Sequence, residues 1–406
     1  MKDIIVKENI FWIGYVDWDI RDFHGYHTDK GSTYNSYLIL DEKIAVIDSV
    51  KAPYADVLLK NISAYTALEK ISYVVCNHAE PDHSGSLPAL MEKCKNAELV
   101  CNTKCKDTLS LHYDTSNWKF KVIDESTDIS LGKNTLKFIN TPMAHWPESM
   151  ATYIPEQKLL FSMDGFGQHY ASSGRFDYDE NLIDVLREAK KYYANIIMLY
   201  GKPIEAVLNK ASKLEIDTIA PSHGVIWRKH ITEIIARYKK WIVCNPDPKV
   251  VIFYDTMWKS TGMMADAIYE GALHEGVKVR KYDLKHTTMT DIATEVLNAA
   301  AIAVGSPTLN KSLMPKAAEV LTYLKGLAPT NKSAIAFGSY GWAKKSGQHD
   351  VLEYLKQMNC KLLLDEPIQS KFVPTKEVLQ QCNGAGKKLT EEALKYIKNP
   401  AHEIVL

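Results

Sequence analysis

The densest chemistry in the chain is the run Val75-Cys-Asn-His78-Ala-Glu80-Pro-Asp82-His83-Ser-Gly85, where four side chains able to bind a metal fall within six residues. An apolar run, 71–76, leads directly into it. Three later apolar runs end in loops with matching chemistry: Thr141-Pro-Met-Ala-His145-Trp-Pro, Phe161-Ser-Met-Asp164-Gly-Phe and Ala220-Pro-Ser-His223-Gly. Together these loops hold four imidazoles and three carboxylates. That set suffices for two metal ions, each with two imidazoles and one terminal carboxylate, sharing a bridging carboxylate. Imidazole and carboxylate without thiolate suit iron, manganese or zinc. Zinc hydrolases lean on more imidazoles, whereas hard anionic oxygens stabilise ferric iron, so three carboxylates favour a redox-cycling di-iron site. A lone loop histidine is ordinarily a solvated residue. Here spacing, residue type and position after a strand agree.

A second constellation follows the apolar run 250–254. It reads Asp255-Thr256-Met257-Trp258-Lys259-Ser260-Thr261-Gly262 and opens a helical pattern. Hydroxyls and backbone N–H groups at a helix N-terminus bind an anion without a basic residue. The pattern is neither GxxxxGK(S/T) nor GxGxxG, so neither a Walker loop nor a nicotinamide site is indicated. Two further strand ends agree with it: Val304-Gly-Ser-Pro307-Thr308-Leu309-Asn310 and Phe337-Gly-Ser339-Tyr340-Gly341-Trp342. Doubly wound sheets bind ligands at the carboxyl ends of their strands.

These loops need elements to position them. In the first half, runs at 37–40 and 44–47 around the turn 41–43 predict a hairpin, with helices at 53–67 and 86–94. Short strands mixed with helices predict an αβ-layered domain. A helix over 231–241 precedes Asn245-Pro-Asp-Pro-Lys249, which reads as an extended linker. The domain boundary is placed there, giving domains 1–247 and 248–406. The second half alternates strands at 250–254, 277–282, 300–304, 333–337 and 361–364 with helices near 262–275, 289–299, 315–326, 347–358 and 375–396. That alternation predicts a doubly wound parallel sheet.

Composition narrows the class. The chain has 406 residues, 46% hydrophobic and 24% charged, which excludes wholesale disorder. Lys+Arg and Asp+Glu are both 49, so the global positive field of a nucleic-acid binder is absent. No run of about eighteen apolar residues predicts a membrane span, and Met1–Trp12 has no signal-peptide core. The seven cysteines form no CxxC pair, which argues against a disulfide framework, a thiolate zinc site and an iron–sulfur cluster. Reduced thiols suit a cytoplasmic location.

The HxExDH run with His145, Asp164 and His223 resembles the metallo-β-lactamase-like fold. Hydrolases of that fold normally carry His at the second motif position. Glu80 there is similar to the redox branch, the flavodi-iron proteins (A-type flavoproteins). The 255–262 loop likewise resembles the flavodoxin loop that cradles the phosphate of FMN. The resemblance spans nearly the whole chain, in family order. It implies an α/β protein: a metallo-β-lactamase-like αββα domain followed by a flavodoxin-like doubly wound parallel sheet. It implies His78, Glu80 and His145 on one iron and Asp82, His83 and His223 on the other, with Asp164 bridging. His83 corresponds to a ligand that is not always engaged in the family. His24, Tyr26, His169 and Tyr193 correspond to distal-pocket residues, for hydrogen bonding or proton delivery to bound O2 or NO. Thr256 to Thr261 would hold the FMN phosphate. Pro307 to Asn310 and Ser339 to Trp342 would hold the ring, with Tyr340 or Trp342 stacking on it.

One departure is Ala343-Lys344-Lys345-Ser346, where the family usually has a glycine-rich run. The two lysines would raise the flavin potential or mark a docking face for an acidic donor, unless they are plain solvated residues. The implied activity is a soluble terminal oxidoreductase. Electrons pass from an external donor, reduced coenzyme F420 or rubredoxin, through FMN to a di-iron site that reduces O2 to water. The same cofactors would serve nitric oxide reduction to N2O. With neither a rubredoxin-like tail nor a flavin-reductase domain in view, a separate donor is expected. The family brings FMN and metal together in a head-to-tail homodimer, or a dimer of dimers. Competing readings are a dizinc hydrolase, opposed by Glu80 and the flavin loop, and an electron-transfer module with a vestigial metal site, opposed by the complete ligand set.

Overall fold

The structure, a computed structural model, describes residues 3–397. It divides into two compact units, Met1–Lys239 and Lys240–Leu406.

The first unit is a sandwich of a seven-stranded and a five-stranded sheet. Side chains alternate across the strands, as a two-residue period requires. In the hairpin strand Tyr37–Ile39, Tyr37 and Ile39 face the core between the sheets, while Leu38 joins the layer under the helices. Its partner Ile44–Ile47 does the same, with Ala45 and Ile47 inward and Val46 outward. The inter-sheet core also takes Val75, Leu136, Met150, Phe161 and Ala220. The helices Ala55–Ser63, Leu87–Lys93 and Thr103–His112 cover the outer face of the larger sheet through Leu58, Ile62, Leu90 and Leu109. This is the expected metallo-β-lactamase-like layering.

The second unit is a parallel six-stranded sheet. Its order is Lys278–Asp283, Asp247–Tyr254, Ala299–Gly305, Ser333–Tyr340 and Lys361–Leu362, with Ile368–Lys371 also pairing with Ser333–Tyr340. That is the flavodoxin order with its switch point between the second and third of these strands. The strand anticipated at 361–364 is in fact two short pieces, 361–362 and 368–371, divided by the Asp365-Glu366-Pro367 loop. The Asp247-Pro248-Lys249 stretch is strand rather than linker. Proline is tolerated because the ladder is irregular there, between Asp247 and Val250. All seven cysteines are free and buried. Among the described residues, no helix is long and apolar enough to cross a membrane.

Helices Ser260–Ala272 and Lys376–Leu394 cross at glycines. A Cβ on Gly386 would lie 2.1 Å from the Ile268 carbonyl oxygen, whereas one on Gly384 would meet nothing within 4 Å. This crossing anchors the helix that starts at the last hydroxyls of the 255–262 loop, Ser260 and Thr261. Gly386→Ala should therefore destabilise the protein by about 1–3 kcal/mol through overpacking. Gly384→Ala, two residues away, should stabilise it by up to about 1 kcal/mol through helix propensity. Chemical denaturation of the two variants checks the opposite signs.

Candidate metal centre

Four strand ends build the centre. Strand Ile71–Val75 runs into the loop bearing His78 and Glu80, and the one-turn helix Pro81–Ser84 bears Asp82 and His83. Buried Asp48 fixes this loop by accepting from the Asn77 backbone N–H at 2.7 Å and its Nδ2 at 2.9 Å. Ser84 Oγ donates to the Ala79 carbonyl at 2.7 Å. Strand Leu159–Met163 slips register between Phe161 and Met163, where Met163 takes φ 44°. Such a bulge turns the next side chain, Asp164, out of the pleat. His145 follows strand Thr135–Asn140, and His223 follows Thr218–Pro221.

The side chains converge in two groups, His78/Glu80/His145/Asp164 and Asp82/His83/His223, with the ligand atoms of each within 4.8 Å of one another. Asp164 faces both. Its Oδ2 lies 3.4 Å from His78 Nε2 and 3.2 Å from His145 Nε2. Its Oδ1 lies 3.1 Å from His83 Nε2 and 3.4 Å from His223 Nε2. Glu80 Oε2 is 3.2 Å from both His78 and His145 Nε2, and Asp82 Oδ2 is 3.1 Å from His223 Nε2. The outer nitrogens are occupied elsewhere. His78 Nδ1 meets Glu148 Oε1 at 2.8 Å, and His223 Nδ1 meets the Thr33 carbonyl at 2.7 Å. That pattern places the Nδ1 protons outward and leaves Nε2 free to ligate.

The arrangement fits metal ions. Asp82 Oδ1, His83 Nε2 and Asp164 Oδ2 are buried without a hydrogen-bond partner, and their near neighbours are other donors of the same cluster. Without a metal, protons fill the role. Burial disfavours the His145 imidazolium, but Asp164 and Glu80 outweigh it and raise the pKa to about 9. Burial is likewise outweighed at His223 by Asp164 and Asp82, to about 10. Burial opposes ionisation of Asp164, yet His83, His145 and His223 hold it well below the usual carboxylate range. Glu80, also buried, is held low by His145 and His78.

The surrounding pocket gathers three of the four anticipated residues. His24 is 76% exposed and reaches within 3.5 Å of Glu80 Oε1. His169 is buried; Ser32 Oγ sits 2.7 Å from its Nδ1, its Nε2 has no partner, and burial together with His223 pushes its pKa well below normal. The Tyr26 ring lies 5.1 Å from that of His169. Tyr193 differs: it opens a π-helical turn and packs edge-on against Tyr238, at 5.1 Å. Its neighbour Tyr192 holds the place next to the donor cluster, its hydroxyl donating to Asp164 Oδ1 at 2.7 Å. Val185, Ala189 and Tyr192 share one buried helix face, but Tyr193 is buried too, so helical spacing alone does not single out Tyr192. Glu148 was also missed, although it stands three residues after His145.

The second unit's loops lie at the carboxyl ends of its strands. Thr261 Oγ1 and Ser339 Oγ are 3.1 Å apart, joining the first loop to the third, and the Thr308 N–H donates to the Ser339 carbonyl at 2.9 Å. Lys259 takes φ 68° before the helix, and Thr256 Oγ1 is buried without a partner, a donor suited to a phosphate oxygen. Trp258 and Trp342 are 90% and 91% exposed, Tyr340 is half-buried, and Lys344 and Lys345 are exposed. The loops fit a flavin phosphate.

An ODP family beta-lactamase model matches residues 33–224, and a flavodoxin model matches residues 252–390. The chain is 41% identical over 393 residues to the nitric oxide reductase of Moorella thermoacetica, covering 96% of this chain and 98% of that one. The flavodiiron protein from Giardia intestinalis superposes with a TM-score of 0.95 at 40% identity, covering 98% of both chains. The chain belongs to the flavodiiron protein family. Rubredoxin oxygen:oxidoreductase from Desulfovibrio gigas is a further structural match, at TM-score 0.94 and 35% identity, over 98% of this chain and 100% of that one. This flavodiiron protein is thus an oxidoreductase built for FMN and a di-iron centre, and the hydrolase reading of its first domain falls away.

The histidine shifts give a pH signature. A histidine whose folded pKa exceeds its unfolded value of about 6.5 stabilises the fold below that value. The contribution disappears as pH rises through the folded pKa. Metal-free protein should therefore lose thermal stability between about pH 7 and 10, as His145 and His223 deprotonate. Iron-loaded protein should not lose this increment, because Nε2 bonded to metal carries no proton. Melting temperatures of both forms across that range check it.

Proposed function

We propose that this flavodiiron protein is a terminal reductase that takes O2 to water: O2, four electrons and four protons give two H2O. The observation that carries the reading is the convergence of six donors in two groups around shared, buried Asp164. His78, Glu80 and His145 would hold one iron and Asp82, His83 and His223 the other, with Asp164 shared between them. Thr256 to Thr261, Pro307 to Asn310 and Ser339 to Trp342 would hold FMN. Bound FMN and iron supply the redox chemistry.

The chain's own groups do the rest. Outward Nδ1 hydrogen bonds aim His78 and His223. Tyr192 fixes the bridging carboxylate. His24, open to water yet near Glu80, carries protons inward, and the free Nε2 of buried His169 orients a diatomic guest with Tyr26 beside it. Nitric oxide is the second reading: two NO, two electrons and two protons give N2O and H2O. The name of the Moorella thermoacetica relative favours it. The name of the Desulfovibrio gigas protein supports rubredoxin as donor, with reduced coenzyme F420 the other candidate. The exposed Trp258 and Trp342 rings support burial in a homodimer, and seven free thiols support a reducing, cytoplasmic setting.

Cofactor loss should separate cleanly. Asp164→Ala should abolish turnover and lose iron while FMN stays bound. Ser260→Glu should expel FMN by charge repulsion while iron stays. Iron content and flavin absorbance decide both, and oxygen uptake at the native rate by Asp164→Ala would overturn the site.

Donor and substrate are tested together under anaerobic conditions. Purified protein receives reduced F420 or reduced rubredoxin, then a measured amount of O2 or NO. The expected result is fast donor oxidation with four electrons used per O2. Two electrons per O2, with peroxide formed, would sink water formation. Turnover with NO alone would move the protein to the second reading.

A further inference from the structure

The two metal sites have matched inner ligands but unmatched surroundings. Each has two imidazoles and one terminal carboxylate and shares Asp164. Formal ligand charge therefore does not distinguish them. The outer partners do. His78 Nδ1 meets a carboxylate, Glu148, at 2.8 Å, and both side chains are wholly buried. The other donor to Glu148 Oε1 is a neutral amide, Ala79 N–H at 3.1 Å, and Oε2 is buried without a partner. His223 Nδ1 meets only a neutral carbonyl, that of Thr33, at 2.7 Å. An imidazole that donates to a buried anion gains imidazolate character and becomes the stronger ligand.

The bridge is biased the same way. Tyr192 donates to Asp164 Oδ1 at 2.7 Å, the oxygen nearer His83 and His223. That hydrogen bond draws electron density away from a metal on that side. Oδ2, nearer His78 and His145, is not hydrogen-bonded. Both outer groups therefore enrich the His78/Glu80/His145 site in electron density and deplete the other.

Building on the di-iron reading above, we propose that Glu148 and Tyr192 make the irons unequal, so that one-electron reduction leaves ferric iron at His78/Glu80/His145 and ferrous iron at Asp82/His83/His223. The first electron enters the Asp82 side and the second the Glu148 side. Glu148 and Tyr192 act through ligands, so they are positioning and tuning residues.

The test is a potentiometric titration of the FMN- and iron-loaded protein with dithionite, followed by EPR of the mixed-valent state and Mössbauer spectroscopy. Glu148→Gln keeps a hydrogen-bond acceptor and removes the charge. It should raise the lower iron couple and leave the upper one near its place. Tyr192→Phe should lower the upper couple instead. Either variant should reduce the equilibrium constant for mixed-valent formation by on the order of tenfold, the weight of one charge-assisted hydrogen bond. Wild-type protein that binds fewer than two irons would overturn the di-iron reading itself. Two bound irons with an unmoved lower couple in Glu148→Gln, or a shift confined to the upper one, would overturn the inequality alone. If Glu148→Gln loses iron, Tyr192→Phe still decides, because an unmoved upper couple there overturns the inference.

Discussion

A carboxylate held almost entirely out of water among four imidazoles is the constraint on which the first domain turns. Asp164 is 1% exposed, and an isolated buried anion is prohibitively costly. Its burial is tolerable only if positive charge is held within a few ångströms on both sides. Four separate strand ends must therefore arrive at one point, and local structure fixes several of them. Asp48 holds the Asn77 turn, the slip at Met163 aims Asp164, and Thr33 orients His223 from another part of the sandwich. The sandwich core supplies rigidity for this, since its side chains are locked on both faces of the strands.

The second domain solves the opposite electrostatic problem. A phosphate brings its own negative charge, and the loop can meet it chiefly with neutral donors. Hydroxyls, backbone N–H groups and a helix N-terminus suffice. The loop is held ready by ordinary neutral bonds, such as Thr261 with Ser339 and Thr308 with the Ser339 carbonyl. Lys259 takes a positive φ just before the helix, and the Thr256 hydroxyl is a buried donor with no protein partner.

Much of this was legible in the sequence because the chemistry sits directly after apolar strand runs. Strand ends 71–75, 159–163 and 218–221 are visible as short hydrophobic stretches, and the residues that follow them are donors that the fold brings together. What escaped depends on contacts far apart in the chain or on local irregularity. Glu148 is unremarkable until His78, seventy residues earlier, is seen donating to it. Tyr192 and Tyr193 are adjacent and both buried, and only the change from α- to π-helical winding at Tyr193 separates the one on the bridge from the one on Tyr238. The Pro-Asp-Pro stretch looked like a linker because proline opposes strand pairing, and the register slip that admits it leaves no mark in composition. The split last strand is similar, since two-residue and four-residue pieces fall below the length at which periodicity can be read.

The placement of sulfur has a consequence for ageing. A protein that handles reactive diatomic gases is exposed to the oxidants they generate. All seven thiols lie buried, and burial raises the pKa of Cys94 and Cys382 to about 12, so thiolate, the oxidisable form, is scarce. The thioethers are less sheltered. Met143, two residues before His145, and Met257, inside the phosphate loop, are both 39% exposed, and Met263, on the helix that follows that loop, is 41% exposed. Sulfoxide formation there adds a polar oxygen at the edge of a cofactor site while the hydrophobic cores stay intact. Chemical wear in this molecule therefore falls on exposed methionines at or next to the metal and flavin loops rather than on the cores, and the reversible chemistry of methionine sulfoxide makes that wear repairable.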